Sequence, residues 1–490
     1  MDAGVIVVGA GPVGLMLAGE LRLGGADVVV LERRDAPAAE SRASTLHART
    51  MEIFDGRGLL ERVGAPPRQP MGHFGGVPLD MAALPSRYPG QWKVPQTRVE
   101  EVLAEWAAGL GADVRRGHEV TDLAVADDRV KVRAAGPGGP LELTAAYVVG
   151  CDGEDSGVRR LAGIPFPGRD ATRELLRADV AGLRIRDRRF ERLPGGLAIA
   201  GRLPGGATRV MVGEYAPAAP RTAPATFEEL CRRWRRVTGE DIGGGTPLWV
   251  NAFGDAARLA ERYRSGRVML AGDAAHLQMP AGGQAINLGL QDAVNLGWKL
   301  AAVATGRAPD GLLDTYHQER HEVGRRILRN VDAQSALLLG GDVGPVRTVL
   351  AELIVLPEVR DLLAGTIGGL DVRYERGAHP LVGARMPHVP LETASGRTDT
   401  TVLLRSGRGL LLDLSADTSR AARLGDLLSG CAGRVALVPA APQREGPIGG
   451  LDTVLVRPDG YVAWVGTRSQ DPGSALRRWF GSRRRRESPC

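Results

Sequence analysis

The apolar run Gly4–Val8 (GVIVV) leads directly into the turn GAGPVG. A segment with Leu15, Leu17, Ala18 and Leu21 at helical spacing follows, and residues 27–31 (DVVVL) read as a second strand. A strand, glycine turn, helix and strand in that order predict a βαβ unit, hence a parallel sheet that binds a ligand at the carboxyl ends of its strands. In this turn Gly9 permits the sharp bend, Gly11 lets a pyrophosphate approach the backbone, and Gly14 allows close packing of helix on strand. Glu32 closes the second strand, where its carboxylate meets a ribose hydroxyl. That favours FAD or NAD over NADP at this site.

Two later stretches have the same character. CDGEDSGVRR, residues 151–160, follows the strand-like AAYVVG and spaces Asp152, Gly153, Ser156 and Arg159 as D-G-x-x-S-x-x-R. Taken alone, it reads equally well as a capped helix start. GRVMLAGDAAHLQMPAGGQAINLGLQDAVNLGWKL, residues 266–300, is an apolar strand ending in Gly272–Asp273, then a loop rich in Gly and Pro, then a long helix. Asp273 is placed to bind a polyol hydroxyl. The helix start at Gly282–Gly283 offers N–H groups and a positive dipole end to an electron-rich or anionic ring.

The remainder divides by pattern. Residues 97–111 place Val99, Val102, Leu103, Trp106 and Leu110 on one helical face, with Gly111 as the stop. Residues 112–134 and 141–153 alternate like strands. Between 170 and 265 short apolar runs separated by Pro-Gly turns predict an inserted antiparallel sheet, after which the nucleotide-domain pattern returns. Residues 310–370 read as helical, 393–400 as a linker, and 408–466 as strands around a helix. The expected domains are 1–170 with 266–390, then 171–265, then 398–490.

Composition excludes several function classes. The 490 residues predict two to four domains, and 43% hydrophobic with 24% charged residues is ordinary for a soluble protein. The net charge of +6 is carried almost wholly by arginine, with lysine only at 93, 131 and 299. Aromatics at 4% and the lack of a basic block interleaved with them argue against nucleic acid. Arg483–Arg486 reads as a solvated tail. Cys151, Cys231, Cys431 and Cys490 form no CxxC pair, so neither a metal site nor a dithiol is indicated, and reduced, buried thiols are expected. Asp2 and the glycine pattern argue against a signal peptide. No stretch reaches the roughly 18 apolar residues of a membrane span, so a cytoplasmic protein without a membrane partner is expected.

The three motifs, in this order and spacing, resemble the single-component FAD-dependent aromatic hydroxylases (group A flavoprotein monooxygenases). MLAGELRLGGADVVVLERR, SRASTLHARTMEIFDGRGLL, AGDAAH, QDAVNLGWKL and RPDGYVAW are similar to the aromatic-polyketide branch, of angucycline and anthracycline type, and to rifampicin monooxygenase. The resemblance implies an α/β fold: a Rossmann-like FAD domain, an inserted antiparallel-sheet substrate domain and a C-terminal thioredoxin-like domain lacking the dithiol. It implies that Gly9, Gly11, Val13 and Gly14 cradle the pyrophosphate and that Glu32 and Arg33 hold the adenosine ribose and its neighbourhood. Arg42 and Gln96 reach the phosphate and flavin side, and Val120 lines the adenine. Asp152 serves FAD and the nicotinamide donor, and Asp273 takes the ribityl chain. Pro280, Gly283, Ile286 and Asn287 lie against the flavin ring.

The implied reaction uses NADPH or NADH, FAD and O2. A flavin C4a-hydroperoxide hydroxylates an aromatic polyketide held between the 170–265 sheet and the flavin loop, where Met279 and Pro280 reach it. Arg42, His47 and His276 are the candidate catalytic residues. Baeyer–Villiger insertion remains open, as does a redox-silent flavin-binding tailoring protein. A flavin halogenase would carry W-x-W-x-I-P, which this chain lacks. The family usually has Gly-Gly-Gln-Gly where this chain has Gly282-Gly283-Gln284-Ala285. A methyl at 285 is expected to disfavour a positive φ and to crowd the ring. A monomer or a homodimer is expected.

Overall fold

The computed structural model describes residues 1–481 apart from 38–40, 42, 204, 220, 432 and 442–445. Arg42, Cys490 and the Arg483–Arg486 run therefore lie outside the described residues.

The strands Ala3–Val8 and Val28–Glu32 flank the helix Pro12–Leu23, as the βαβ pattern requires. They belong to an eight-stranded sheet in which Val268–Leu270, Gly139–Gly150, Ala3–Val8, Val28–Glu32 and Asp113–Arg116 lie side by side and parallel. Strands from both sides of the 174–254 region thus share one sheet. Their register matters for function. Val8 pairs with Leu31 on one side and Gly150 on the other, and Gly150 pairs with Leu270. Four parallel strands therefore end in step, and the three motifs, about 140 and 120 residues apart in the chain, emerge at one sheet edge.

Helix Gln284–Ala304 is buried along almost its whole length, packed against the first helix. Two glycines make that approach possible. A Cβ on Gly289 would stand 2.6 Å from Val13 Cγ2 and 3.1 Å from Gly272 Cα, and one on Gly297 would strike the Glu20 side chain. The 310–370 region comprises helices Asp314–Leu339, Gly344–Leu353 and Pro357–Gly368.

The inserted region is a five-stranded antiparallel sheet in the order Arg188–Leu193, Gly196–Arg202, Thr208–Glu214, Glu174–Ala181, Thr246–Gly254. Strand alternation gives it two different faces. Leu176, Ala178, Val210 and Val212 pack against Leu230, Trp234 and Val237 of helix Phe227–Thr238. Leu175 and Leu197 on the opposite face pack with Met279 and Ala281 of the 279–283 loop, so this face roofs the edge where the motifs meet.

Residues 393–400 are not a linker. Pro390–Thr393 pairs with Gly396–Asp399 in a hairpin, and Asp399 then accepts hydrogen bonds from Thr401 and Val402 N–H at 2.9 Å each. The same Thr/Ser/Gly composition serves a tight turn, with Gly396 at φ +109°. Beyond it Val435–Pro439, Gly409–Asp413, Thr453–Val456 and Val462–Gly466 form a sheet in that order, flanked by helices Thr418–Leu428 and Gly473–Phe480. This unit is tied down by buried charge. Glu319 accepts from Arg457 at 2.6 and 2.9 Å, and Arg57 reaches from its pair with Glu20 to the Pro458 and Leu404 carbonyls. Cys431 is buried as expected, whereas Cys151 and Cys231 are only half-buried; all three are free thiols. Among the described residues no helix is long and apolar enough to cross a membrane.

Candidate functional site

The glycine turn divides its labour as the sequence suggests. A Cβ on Gly9 would overlap the Cys151 carbonyl, and one on Gly14 would overlap the Gly9 carbonyl oxygen while standing 3.3 Å from Cys151 Cβ. Both glycines are closed off by protein. Gly11 differs, because a Cβ there would meet nothing within 4 Å. It borders open space at the N-terminus of helix Pro12–Leu23, where backbone N–H groups and the helix dipole favour an anion. Beside it, the two Glu32 oxygens accept from Ala10 N–H at 2.7 Å and Arg34 N–H at 2.9 Å. The carboxylate is thereby fixed in orientation, with acceptor capacity left for a hydroxyl. Arg33 is exposed next to it, and Val120 is half-buried on the strand Glu119–Val125.

The D-G-x-x-S-x-x-R motif is mainly a brace. Asp152 Oδ1 accepts from Ser156 Oγ at 2.5 Å and Oδ2 from Val158 N–H at 3.0 Å, while Ser156 caps the helix by accepting from Arg159 N–H. Arg159 stacks on Phe166, 3.8 Å from its ring centroid, and donates to the Ala274 carbonyl at 2.9 Å. It thus ties this turn to the exposed Asp273 in the short turn Gly272–Ala274. Gln96 holds Ala43, accepting from its N–H at 3.1 Å, and donates to Glu100 at 2.8 Å.

At the start of helix Gln284–Ala304, Gly282 and Gly283 both adopt left-handed backbone, at φ +65° and +67°. No side chain caps this helix start, so its first N–H groups have no side-chain partner there. Gly283, Ala285 and Ile286 are half-buried at the start of a helix whose middle is buried. Ala285 lies within the helix, and the only non-glycine residues with positive φ among those described are Phe190 and Ala416. The expected strain at Ala285 is therefore absent: the two preceding glycines take the left-handed turns. Pro280 is exposed on the loop, whereas Met279 is buried in the apolar cluster beneath the sheet.

Asn287 is spent inside the protein. Its Oδ1 accepts from His47 N–H at 2.9 Å and Thr50 Oγ1 at 2.6 Å, and its Nδ2 donates to the Thr45 and Gly283 carbonyls. It clamps the 45–50 segment to the glycine turn. One helical turn on, Asp292 accepts from Arg320 Nε at 2.7 Å and from Gly272 N–H at 3.2 Å, and it pairs with His276 Nε2 at 2.7 Å. Burial pushes the Asp292 carboxyl up, but Arg320 and then His276 outweigh that and hold it below the usual carboxylate range. His276 is fully buried in this network, away from the cleft.

His47 lies against the turn, its Nε2 3.6 Å from where a Gly283 Cβ would stand. Burial first, and then the Lys93 ammonium, pushes it down to about 4, so the ring is neutral near pH 7. Asp292, Arg320, the clamping role of Asn287 and Lys93 escaped the sequence reading. The available signal was polar residues at helical spacing, Asn287, Gln291, Asn295 and Lys299, on a helix otherwise apolar all round.

Above the turn, the sheet presents Arg177, Asp179, Arg209, Met211, Trp249, Asn251 and Phe253 on one face. Asp179 accepts from Arg209 at 2.7 and 2.9 Å and from Trp249 Nε1 at 3.1 Å. Arg177 stands 5.4 and 5.3 Å from the Trp249 and Phe253 ring centroids. Arg209 also donates to the Ser41 carbonyl at 3.1 Å, joining roof to floor.

Residues 2–331 match the family model described as FAD binding domain, and residues 379–482 match that of the aromatic-ring hydroxylase C-terminal region. The chain is 43% identical to the 12-dehydrotetracycline 5-monooxygenase/anhydrotetracycline 6-monooxygenase of Streptomyces rimosus, over 97% of this chain and 98% of that one. It is 41% identical to the dialkyldecalin synthase of Streptomyces rugosporus, over 98% and 99%. The crystal structure of CabE, an aromatic hydroxylase from angucycline biosynthesis, superposes with a TM-score of 0.94 at 51% identity, covering 99% of this chain and 100% of that one.

Proposed function

The chain belongs to the FAD-binding aromatic-ring hydroxylases and is a flavoprotein monooxygenase, and we propose that it hydroxylates a polycyclic aromatic polyketide in the cleft between the glycine turn at 282–283 and the inserted sheet. One observation carries this reading: Met279 and Ala281, on the loop that leads into the glycine turn, pack in one cluster with Leu175, Leu197, Met211 and Phe253 of the sheet face that also carries Trp249, Arg177 and Arg209. Such a space suits a flat, polar-edged aromatic molecule.

The residues fit FAD. Gly11 faces open space at a helix N-terminus, Glu32 is oriented for a ribose, and no side chain caps the helix start after the 282–283 turn. When bound, FAD supplies the redox chemistry, taking electrons from NADPH or NADH and one oxygen atom from O2. The chain does the rest. Gly9, Gly11, Val13, Gly14 and Glu32 seat the nucleotide half, and Asp273 the ribityl chain. The N-terminus of helix Gln284–Ala304 stabilises negative charge on the ring. Asn287 and Asp292 hold that helix start and the Gly272 turn in place, and the sheet excludes water and orients the substrate ring. We read His276, fully buried and hydrogen-bonded to Asp292, as part of the frame of the site.

We read 1–170 with 266–390 as the FAD domain, 171–265 as the substrate domain and 398–490 as a thioredoxin-like domain without a dithiol. The flanked four-stranded C-terminal sheet supports the last. A cytoplasmic monomer or homodimer is the corresponding cellular form.

The test is NADPH, NADH and O2 consumption by the FAD-loaded protein with angucyclinone, anthracyclinone and tetracycline phenols, with product mass and NMR. Substrate-stimulated consumption and gain of one oxygen atom support the reading, and NMR separates ring hydroxylation from Baeyer–Villiger insertion. The dialkyldecalin synthase relative favours a second reading, ring formation with a flavin that is bound but not turned over. A product isomeric with its substrate, formed without nicotinamide consumption, would establish it.

A further inference from the structure

Lys93 is one of only three lysines in the chain, and it sits at the flavin loop. Its Nζ donates to Thr45 Oγ1 at 2.9 Å. Thr45 in turn lines the glycine turn, its Cβ 3.3 Å from where a Gly283 Cβ would stand, and its carbonyl accepts from Asn287. Lys93 is therefore set one residue back from the surface that receives the flavin ring. Its surroundings are unusual for a half-buried ammonium. Among the described residues no carboxylate pairs with it; the charges that face it are the guanidiniums of Arg189 and Arg209. Arg209 is neutralised by Asp179, and Arg189 is bound to the Met71 and Gly72 carbonyls. His47 and His73, the imidazoles on the same side, are both held neutral, chiefly by burial.

A desolvated cation without an anion costs free energy and persists where a ligand supplies the missing charge. Burial, then Arg189 and Arg209, lower the Lys93 ammonium to about 8, so it remains mostly charged at pH 7. The helix N-terminus already serves an anion on the flavin side of the cleft. Arg209 belongs to the sheet face that roofs the cleft and Thr45 borders the glycine turn, so the Lys93 ammonium stands where roof and turn meet.

We propose that the Lys93 ammonium holds the ionised phenol oxygen of the aromatic substrate at the flavin loop, and so makes its ring electron-rich. This rests on the aromatic-substrate reading above. The substrate O–H bond breaks, its proton leaves to solvent, and the phenolate pairs with the ammonium already in place. No electrons change hands in this step. Lys93 is thus a catalytic residue that touches substrate, and it supplies what neither His47 nor the locked His276 can.

The test uses FAD-loaded wild type, Lys93→Met and Lys93→Arg with 2-hydroxyanthraquinone, whose colour reports ionisation. Wild type should lower the pH at which the bound dye ionises by about 1 unit or more, as a cation within about 4–6 Å does. Lys93→Arg should keep most of that shift and Lys93→Met should lose it while retaining its flavin spectrum and thermal stability. In Lys93→Met the removal of an unpaired buried cation offsets the lost hydrogen bond to Thr45, whereas replacing a lysine with a purely structural role would weaken the fold. A second measurement follows the Lys93 Nζ resonance, identified by its disappearance in Lys93→Met; its own ionisation should move to higher pH when the dye binds. Equal dye ionisation in wild type and Lys93→Met overturns the proposal, as does a variant that shifts the flavin potential and not the dye. Both readouts are independent of turnover, so an enzyme that oxidises no phenol would refute the substrate reading without deciding this one.

Discussion

Replacing Gly11 and Gly14 by alanine should separate cofactor binding from folding, although both belong to one six-residue turn. A methyl on Gly11 meets no protein atom within 4 Å, and its backbone, at φ −76° and ψ −179°, is open to any residue. Gly11→Ala should cost the apoprotein about 1 kcal/mol at most, the scale of a changed helix cap. The same methyl occupies the approach of the pyrophosphate. Overpacking of that kind costs about 1–3 kcal/mol, which corresponds to a roughly 5- to 150-fold rise in the Kd for FAD. Gly14→Ala is the opposite case. Its methyl would overlap the Gly9 carbonyl oxygen, and backbone cannot step aside as a flexible side chain can. The helix would have to lift from the strand, so the apoprotein should lose about 3 kcal/mol or more. Thermal unfolding of the FAD-stripped proteins measures the first quantity, and quenching of flavin fluorescence on titration measures the second. A Gly11→Ala protein that binds FAD within about twofold of wild type would refute the reasoning, because a difference below about 0.4 kcal/mol leaves no room for a steric contact.

Three further outcomes are expected. Glu32→Ala leaves Ala10 and Arg34 N–H without their acceptor and removes the ribose partner; FAD affinity should fall about tenfold or more, the scale of a charged hydrogen bond, while unfolding of the apoprotein changes little. Asp292→Asn strands Arg320 and His276 and should cost about 3–5 kcal/mol in denaturant unfolding. Because Asp292 titrates below the ordinary carboxylate value, its contribution is present above about pH 3.9 and is lost as pH falls through the lower folded value, so the gap between wild type and variant should narrow only in strong acid. His47 has the same sign for a different reason. Its unfolded form takes a proton near pH 6.5 and its folded form near about 4, so stability should fall by roughly 1.4 kcal/mol per pH unit as pH drops across that window. His73, lowered by burial to about 3, adds a slope of the same sign, so His47→Gln should remove only its own share of the acid sensitivity, and a slope unchanged by the substitution would refute the assignment to His47.

The cradle was legible because each of its requirements is local. Gly9, Gly11 and Gly14 answer to a turn, a ligand and a helix within six residues, and Glu32 to the end of the next strand, so spacing alone expresses the constraint. Parallel register then delivered Asp152 and Asp273 to the same edge, which the strand-then-motif pattern anticipates without naming partners. The antiparallel insert was equally local, since Pro-Gly turns and alternation mark hairpins. What the sequence did not disclose is what each polar side chain does once there. Asn287 meets His47 and Thr50 across 240 and 237 residues, and Arg159 meets Ala274 across 115. Asp152, read as serving the flavin and the nicotinamide donor, has both oxygens occupied within its own turn. Ala285 shows the converse: the backbone strain that its place in the motif suggested is absent, because backbone conformation and not motif position decides where glycine is required.

The same distinction explains the two histidines and the lysine. A histidine in an apolar stretch is ambiguous in sequence because catalytic and core imidazoles share neighbours. Burial and the nearest charge decide between them, and both are properties of the fold. His276 found Asp292 and became part of the frame; burial, and then a neighbouring cation, hold His47 neutral. That cation is Lys93, which stands in the segment QWKVPQ, where nothing in the spacing marks a site. An ion pair completed within the protein is a structural bond. A charge left incomplete at the edge of a cleft points to a ligand, and that difference in bookkeeping is what makes Lys93 the residue at which the floor of the site turns toward its substrate.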